Sequence, residues 1–272
     1  MDALDIAALD AYPLVPRVLH DVEAPDLSTS FGGETLEWPL VPRLPAEAPW
    51  AETLIRPTGA TPDRMRMAAV DAAEVTAARL SEVPAGSVVA VMPPKRMAEL
   101  VPECKRLADL GVGGVGIDLA PLAESAPFGK EQFRPRSRED LAELRAAAGK
   151  PLWVFGVAGA ADAEVAAEAG ADVVVISSRL GARLRGPATI DVLPEVIDAV
   201  AGMLTVAAGG PARDGVDVFR YLAVGAELVV VEGERPLASV AAELAYAFKL
   251  TGCATLADVG YDALFAPLFG EP

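Results

Sequence analysis

The chain has 272 residues, 52% of them hydrophobic, and a formal net charge of −16. That length suits one α/β barrel and is ample to bury a core, while so negative a charge argues against nucleic acid or an anionic membrane surface as partner, since either needs a concentrated basic face. A single histidine, His20, and two isolated cysteines, Cys104 and Cys253, leave almost no ligands for a zinc site and point to a reducing cytoplasm.

Residues 1–36 read as a short N-terminal extension without a leader pattern. Strands are then expected near 38–43, 77–81 (with the polar Arg79 inside it), 87–92, 113–118, 151–156, 172–177, 203–208 and 227–232. No apolar run is long enough to span a bilayer. Between the later strands lie amphipathic helices with a 3.6-residue period: Met97, Leu100, Val101, Cys104 and Leu107 share one face, as do Leu193, Val196, Ile197 and Val200, and Leu237, Val240, Ala241 and Leu244. Pro102 is expected to kink the first of these helices. Gly111, Gly170 and Gly225 each end a helix just before a β-branched run, a place for left-handed backbone. Residues 119–137, with Pro121, Pro127 and Pro135, read as a long loop after the fourth strand, and 253–272 as a tail. Eight strands with helices between them predict one domain over 1–272, a (β/α)₈ TIM barrel.

The segment Asp172-Val-Val-Val-Ile-Ser-Ser-Arg179, followed by Pro187-Ala-Thr-Ile-Asp-Val-Leu-Pro194 and later by Gly215-Val-Asp-Val-Phe219, resembles the FMN-dependent α-hydroxy-acid oxidases and dehydrogenases. The resemblance begins at Pro16-Arg17-Val18-Leu19, continues through Asp26-Leu27-Ser28-Thr29, resumes at Arg138 and holds almost without gaps to Gly252. It implies the barrel, FMN as cofactor, hydroxy-acid oxidation and assembly into oligomers.

Set against the family pattern, the chemical residues differ. Arg179 stands where the family has its proton-accepting His, Phe155 where a Lys faces the flavin, and Ala182 where an Arg takes the substrate carboxylate. The flavin-contacting Gln and Thr positions fall around Ala90 and on Gly116, and the Asp of the seventh strand falls on Ala208 or its neighbour. The family's active-site Tyr lies in an N-terminal helical region that the resemblance does not reach. An arginine stays protonated and offers only donors, so it cannot replace the base.

Remnants are arguable. Gly209, Gly210, Arg213, Gly233 and Arg235 match the family's phosphate cradle, although glycines also serve tight strand-to-helix turns. Arg179, Arg183 and Arg185 form either an anion site or a solvated interface loop. Asp118 is either a lone catalytic carboxylate or a turn cap, and His20 a structural or surface residue.

The expectation is therefore a degenerate or accessory subunit, with FMN binding weakened or lost, acting as a homo-oligomer or with a related catalytic subunit. The barrel mouth is expected to be poorly covered, exposing Phe128, Phe155 and Leu180. The alternative is an FMN-dependent oxidoreductase with altered chemistry on a small hydroxycarboxylate.

Overall fold

Short runs of β-branched residues, apolar on both faces, need cover from both sides, and closing into a cylinder wrapped by helices supplies it. The computed structural model describes residues 3–56, 63–124, 135–179, 186–232 and 235–265. It opens with helix α1 (Ala3–Asp10) and the antiparallel hairpin β1 (Thr29–Phe31) and β2 (Glu34–Leu36). The first barrel strand is β3 (Leu40–Leu44); α2 (Trp50–Leu54) and the short β4 (Arg64–Met65) lead to the second, β5 (Ala68–Asp71). Next come α3 (Ala77–Ser81), β6 (Val88–Met92), α4 (Met97–Leu110), β7 (Gly114–Asp118), α5 (Pro121–Glu124), α6 (Arg138–Ala148) and β8 (Leu152–Val157). The remainder alternates: α7 (Ala160–Glu168), β9 (Val173–Ile176), α8 (Thr189–Val200), β10 (Thr205–Ala208), α9 (Gly215–Ala223), β11 (Leu228–Glu232) and α10 (Leu237–Thr251).

β3 and β5 through β11 form a closed barrel of eight parallel strands, β11 pairing back onto β3. The expected (β/α)₈ architecture is thus present. The helix stripes read from the sequence supply its outer layer: Leu100, Cys104 and Leu107 are buried, as are Leu193, Val196 and Val200, and Leu237, Val240, Ala241 and Leu244. Helix α4 runs on through Pro102. Gly111 and Gly225 take φ of +87° and +106°, as a helix stop before a strand requires.

One strand was misplaced in the reading. Residues 77–81 are helix α3, and the second barrel strand is Ala68–Asp71. Thr76 caps that helix by accepting from the Arg79 amide, two alanines follow, and the Arg79 guanidinium lies 3.9 Å from the Trp50 ring centre while donating to the carbonyls of Ala46 and Ala48. The Ala68-Ala-Val-Asp71 run is strand because β3 and β6 flank it, a context that local propensity does not carry.

Inside the barrel, small residues on one strand make room for large ones on the next. Gly114 and Gly116 of β7 face the rings of Trp153 and Phe155 of β8, which stack 6.0 Å apart; a Cβ on Gly116 would lie 2.8 Å from Phe155. Phe31 closes the lower end against Trp153, edge to face at 5.2 Å. Outside, α1 is pinned by a buried carboxylate: Asp5 accepts from the Thr189 amide at 2.7 Å and from the Ser178 hydroxyl. Among the described residues no helix is long and apolar enough to cross a membrane.

Candidate functional site

The C-terminal ends of barrel strands are where such folds place their chemistry, because the loops there are free to vary over a rigid base. Arg43 is the next-to-last residue of β3, Asp71 ends β5, Asp118 ends β7, Glu232 ends β11, and Arg179 stands just beyond β9. Barrel closure puts Arg43 directly beside Glu232 in register. The result is an ion-pair chain across the mouth. Arg43 Nη2 lies 2.7 Å from Asp118 Oδ2, Arg43 Nη1 lies 4.0 Å from Glu232 Oε1, and Arg179 Nη1 lies 3.0 Å from the same oxygen. Asp118 is buried, and its other oxygen accepts from the Ala120 amide at 3.0 Å, so it does cap the turn while also holding Arg43. Below the chain lies Phe155, its ring centre 5.8 Å from the Arg43 guanidinium carbon. A cavity of about 560 Å³ opens beside these groups, lined by all five charged residues together with Leu44, Pro45 and Pro121.

Phe155 is 3% exposed, so the expectation that it would lie bare at the mouth is corrected. The glycines of β7 let its ring turn into the barrel, and Arg43 covers it from above. Phe128 and Leu180, expected with it, lie outside the described residues, as do Ala182, Arg183, Arg185 and Gly233. Ala90 packs outward into the helical layer, while Val89 and Val91 face the interior, so β6 brings no side-chain donor to the barrel at these positions. Gly116 faces Phe155.

The residues matched to a phosphate cradle are held by protein partners. Gly209 donates its amide to the Ile176 carbonyl at 2.7 Å, and a Cβ on it would strike Val175 at 2.5 Å. A Cβ on Gly210 would meet the Tyr221 hydroxyl at 2.3 Å, so both glycines are required by packing. Arg213 donates to Asp217 through Nε at 2.7 Å and to Asp10 of α1 through Nη2 at 2.5 Å. These bonds, the one from Asp217 first, hold the Arg213 proton more tightly than usual. Asp217 has no exposed surface; burial alone would raise its pKa, but the guanidinium and amide of Arg213, with Arg220, outweigh it and keep the carboxyl below its ordinary value. Arg235 donates to Glu243 at 2.5 Å and to the Arg213 carbonyl at 2.7 Å. Glu243 is correspondingly held low.

His20 is exposed and local: Nδ1 accepts from the Val22 amide at 3.1 Å, which leaves Nε2 to donate to the Arg17 carbonyl at 3.0 Å. Among the described residues no cluster of three or more His, Cys, Asp or Glu side chains is placed to hold a metal. Arg43 and Asp71 were missed by the sequence reading. The available signal was a charged residue at the C-terminal end of a barrel strand, obscured for Asp71 by the misplaced second strand.

The profile of the FMN-dependent dehydrogenase family matches residues 61–266. The chain belongs to that family. It is 38% identical over 166 residues to an L-lactate oxidase of Lactobacillus jensenii, covering 55% of this chain and 39% of that protein. Over the same length it is 35% identical to glycolate oxidase 1 of Oryza sativa subsp. indica, covering 53% of this chain and 45% of that one. The matched region thus spans less than half of these curated relatives. Among solved structures, a mandelate oxidase variant with (S)-mandelic acid superposes with a TM-score of 0.73 at 19% identity, covering 98% of this chain and 90% of that one. A mandelate oxidase variant bearing a monooxide FMN adduct gives 0.73 at 20% identity, covering 96% and 90%. At such identities these two likenesses speak for the barrel alone.

Proposed function

We propose that this member of the FMN-dependent dehydrogenase family has given up flavin-dependent oxidation and serves as a non-catalytic subunit of an assembly, with itself or with a related catalytic chain. The observation that carries the reading is the chain Asp118–Arg43–Glu232–Arg179 across the mouth, with Arg179 at the position of the family's base and Phe155 at that of its lysine. Neither a group that accepts the substrate proton nor a cation beside the flavin ring is present at those two positions, and losing a base alone typically costs two to four orders of magnitude in rate.

The residues present do not suit FMN. At the ring end, Phe155 fills the space over Gly116, where the family pattern has a threonine. At the phosphate end, Arg213 and Arg235 are already neutralised by Asp10, Asp217 and Glu243. A phosphate would have to displace carboxylates from both.

Assembly is supported by an apolar patch on an otherwise acidic chain. Tyr246 and Leu250 lie one turn apart on α10 and are 60% and 39% exposed. Val18 and Leu19, 79% and 95% exposed, directly follow Arg17, whose amide donates to the Leu250 carbonyl. Patches of this kind mark interaction surfaces.

The test combines three measurements on the purified full chain: its visible absorbance with and without added FMN, turnover of lactate, glycolate and mandelate, and its mass by light scattering before and after Leu19→Glu plus Tyr246→Glu. A colourless, inactive protein whose assembly is broken by the two glutamates fits the proposal. Stoichiometric flavin with turnover would replace it by the altered-chemistry oxidoreductase, and an inactive monomer without a co-purifying partner would remove the subunit role.

A further inference from the structure

The mouth holds more charge than an ion-pair chain uses. A guanidinium carries five N–H donors. Among the described residues, Arg43 has one carboxylate oxygen within hydrogen-bond distance, that of Asp118, and Arg179 has one, that of Glu232. Both arginines line the cavity and both keep spare donors there. Asp71 lines the same cavity from the end of β5; one of its oxygens accepts from the Ala73 amide at 2.8 Å, and it has no cationic partner among the described residues.

The balance of these groups selects the ligand. Two cations face three carboxylates, Asp71, Asp118 and Glu232, so the cavity wall carries a net negative charge. A plain carboxylate would satisfy the arginines while facing the uncompensated Asp71. A plain amine would satisfy Asp71 and leave the guanidinium donors unused. A molecule carrying both groups completes each set, and charge-assisted hydrogen bonds of this sort are the strong ones.

We propose that the mouth cavity binds a small zwitterion of the α-amino-acid type, its carboxylate on the spare donors of Arg43 and Arg179 and its ammonium on the side of Asp71 and Asp118. The site rests on the flavin-free reading above, since flavin and zwitterion would compete for the mouth. It gives a barrel without oxidase chemistry a ligand to sense, and it distinguishes the amino acid from the hydroxy acid of the same skeleton by one charged group.

The test is calorimetric titration of the full-length protein with L-alanine, L-lactate and ethylamine, extended to the glycine–glycolate and phenylglycine–mandelate pairs to vary the side chain. At least one amino acid is expected to bind about tenfold or more tightly than its hydroxy acid and than ethylamine, the factor set by loss of one charge-assisted contact. Asp71→Asn keeps the cap to Ala73 and should bring L-alanine and L-lactate to equal affinity; Arg43→Gln should remove the advantage over ethylamine. Asp71 is exposed, so its variant is expected to fold, and thermal unfolding of each variant checks this. Hydroxy acids binding as well as amino acids, or no heat from any compound, would overturn the site. The absorbance spectrum of the same sample separates the two failures: a flavin band indicts the flavin-free reading, whereas a colourless protein that ignores amino acids indicts the zwitterion site alone.

Discussion

Arg179 Nη1 lies 3.0 Å from Glu232 Oε1, tying the loop that leaves β9 to the end of β11 across the barrel mouth. Both side chains are nearly half exposed, at 49% and 45%, so the pair adds little to stability, on the order of 0–1 kcal/mol. Its consequence is one of occupancy. On the proposed reading, a guanidinium held by a carboxylate stands where the family pattern has a neutral base, and the pair is weak enough to yield to a ligand that offers Arg179 a better partner.

Restoring Arg179→His alone should not produce detectable oxidation of lactate, glycolate or mandelate. Glu232 would favour the imidazolium over the neutral imidazole needed as base, and Phe155 and Arg43 would remain in place. A turnover assay with added FMN checks this, and clear product formation by the single variant would count against the account of the mouth.

Asp217→Ala should be severely destabilising, by about 3–5 kcal/mol, because it leaves Arg213 and Arg220 without the fully buried carboxylate between them. The midpoint of urea unfolding measures it. A change within experimental error would mean that Asp10 alone suffices to hold Arg213.

Acid should unfold the protein through the same group. The Asp217 carboxyl is held below its ordinary value in the folded state by Arg213 despite burial, and Asp10 is lowered chiefly by its hydrogen bond from Arg213. Folded values below unfolded ones mean that this stability is fully present above the unfolded aspartate pKa of about 3.9, and is lost as pH falls through the lower folded values. Thermal unfolding followed with decreasing pH should show the loss beginning in that window, and Asp217→Ala should flatten it.

Asp5→Ala should release α1. The substitution strands the Thr189 amide and the Ser178 hydroxyl in a buried site, at a cost of about 1–3 kcal/mol. Limited proteolysis should then cleave early in the segment following α1 while leaving the barrel intact; unchanged resistance would show that Leu9 packing is enough.

Both cysteines should resist thiol reagents in the native protein. Burial first, and then the Glu103 carboxylate, pushes the Cys104 thiol up to about 12, and burial raises Cys253 as well. No titre near neutral pH in buffer and two thiols in denaturant is the expected count.

What the sequence determined by itself was set by near neighbours in the chain. The helix faces around Leu100, Leu193 and Leu244, the glycine stops at Gly111 and Gly225, and the β-branched runs repeat at local spacing, so the barrel was legible from periodicity. The expectation that Arg179 and Phe155 stand at the positions of the family's base and lysine also came from the sequence, through the motif spacing around each. The second strand was not legible, because Ala68-Ala-Val-Asp71 becomes strand only between β3 and β6, whereas the capped alanine run after Thr76 makes its own helix. Only the tertiary structure decided what the charges do. Arg43 meets Asp118 and Glu232 because the barrel closes β11 onto β3, and Arg213 meets Asp10 because α1 packs against α8. Ion pairs act over a few ångströms in space regardless of separation along the chain, so their partners follow from closure and packing, which no local pattern encodes.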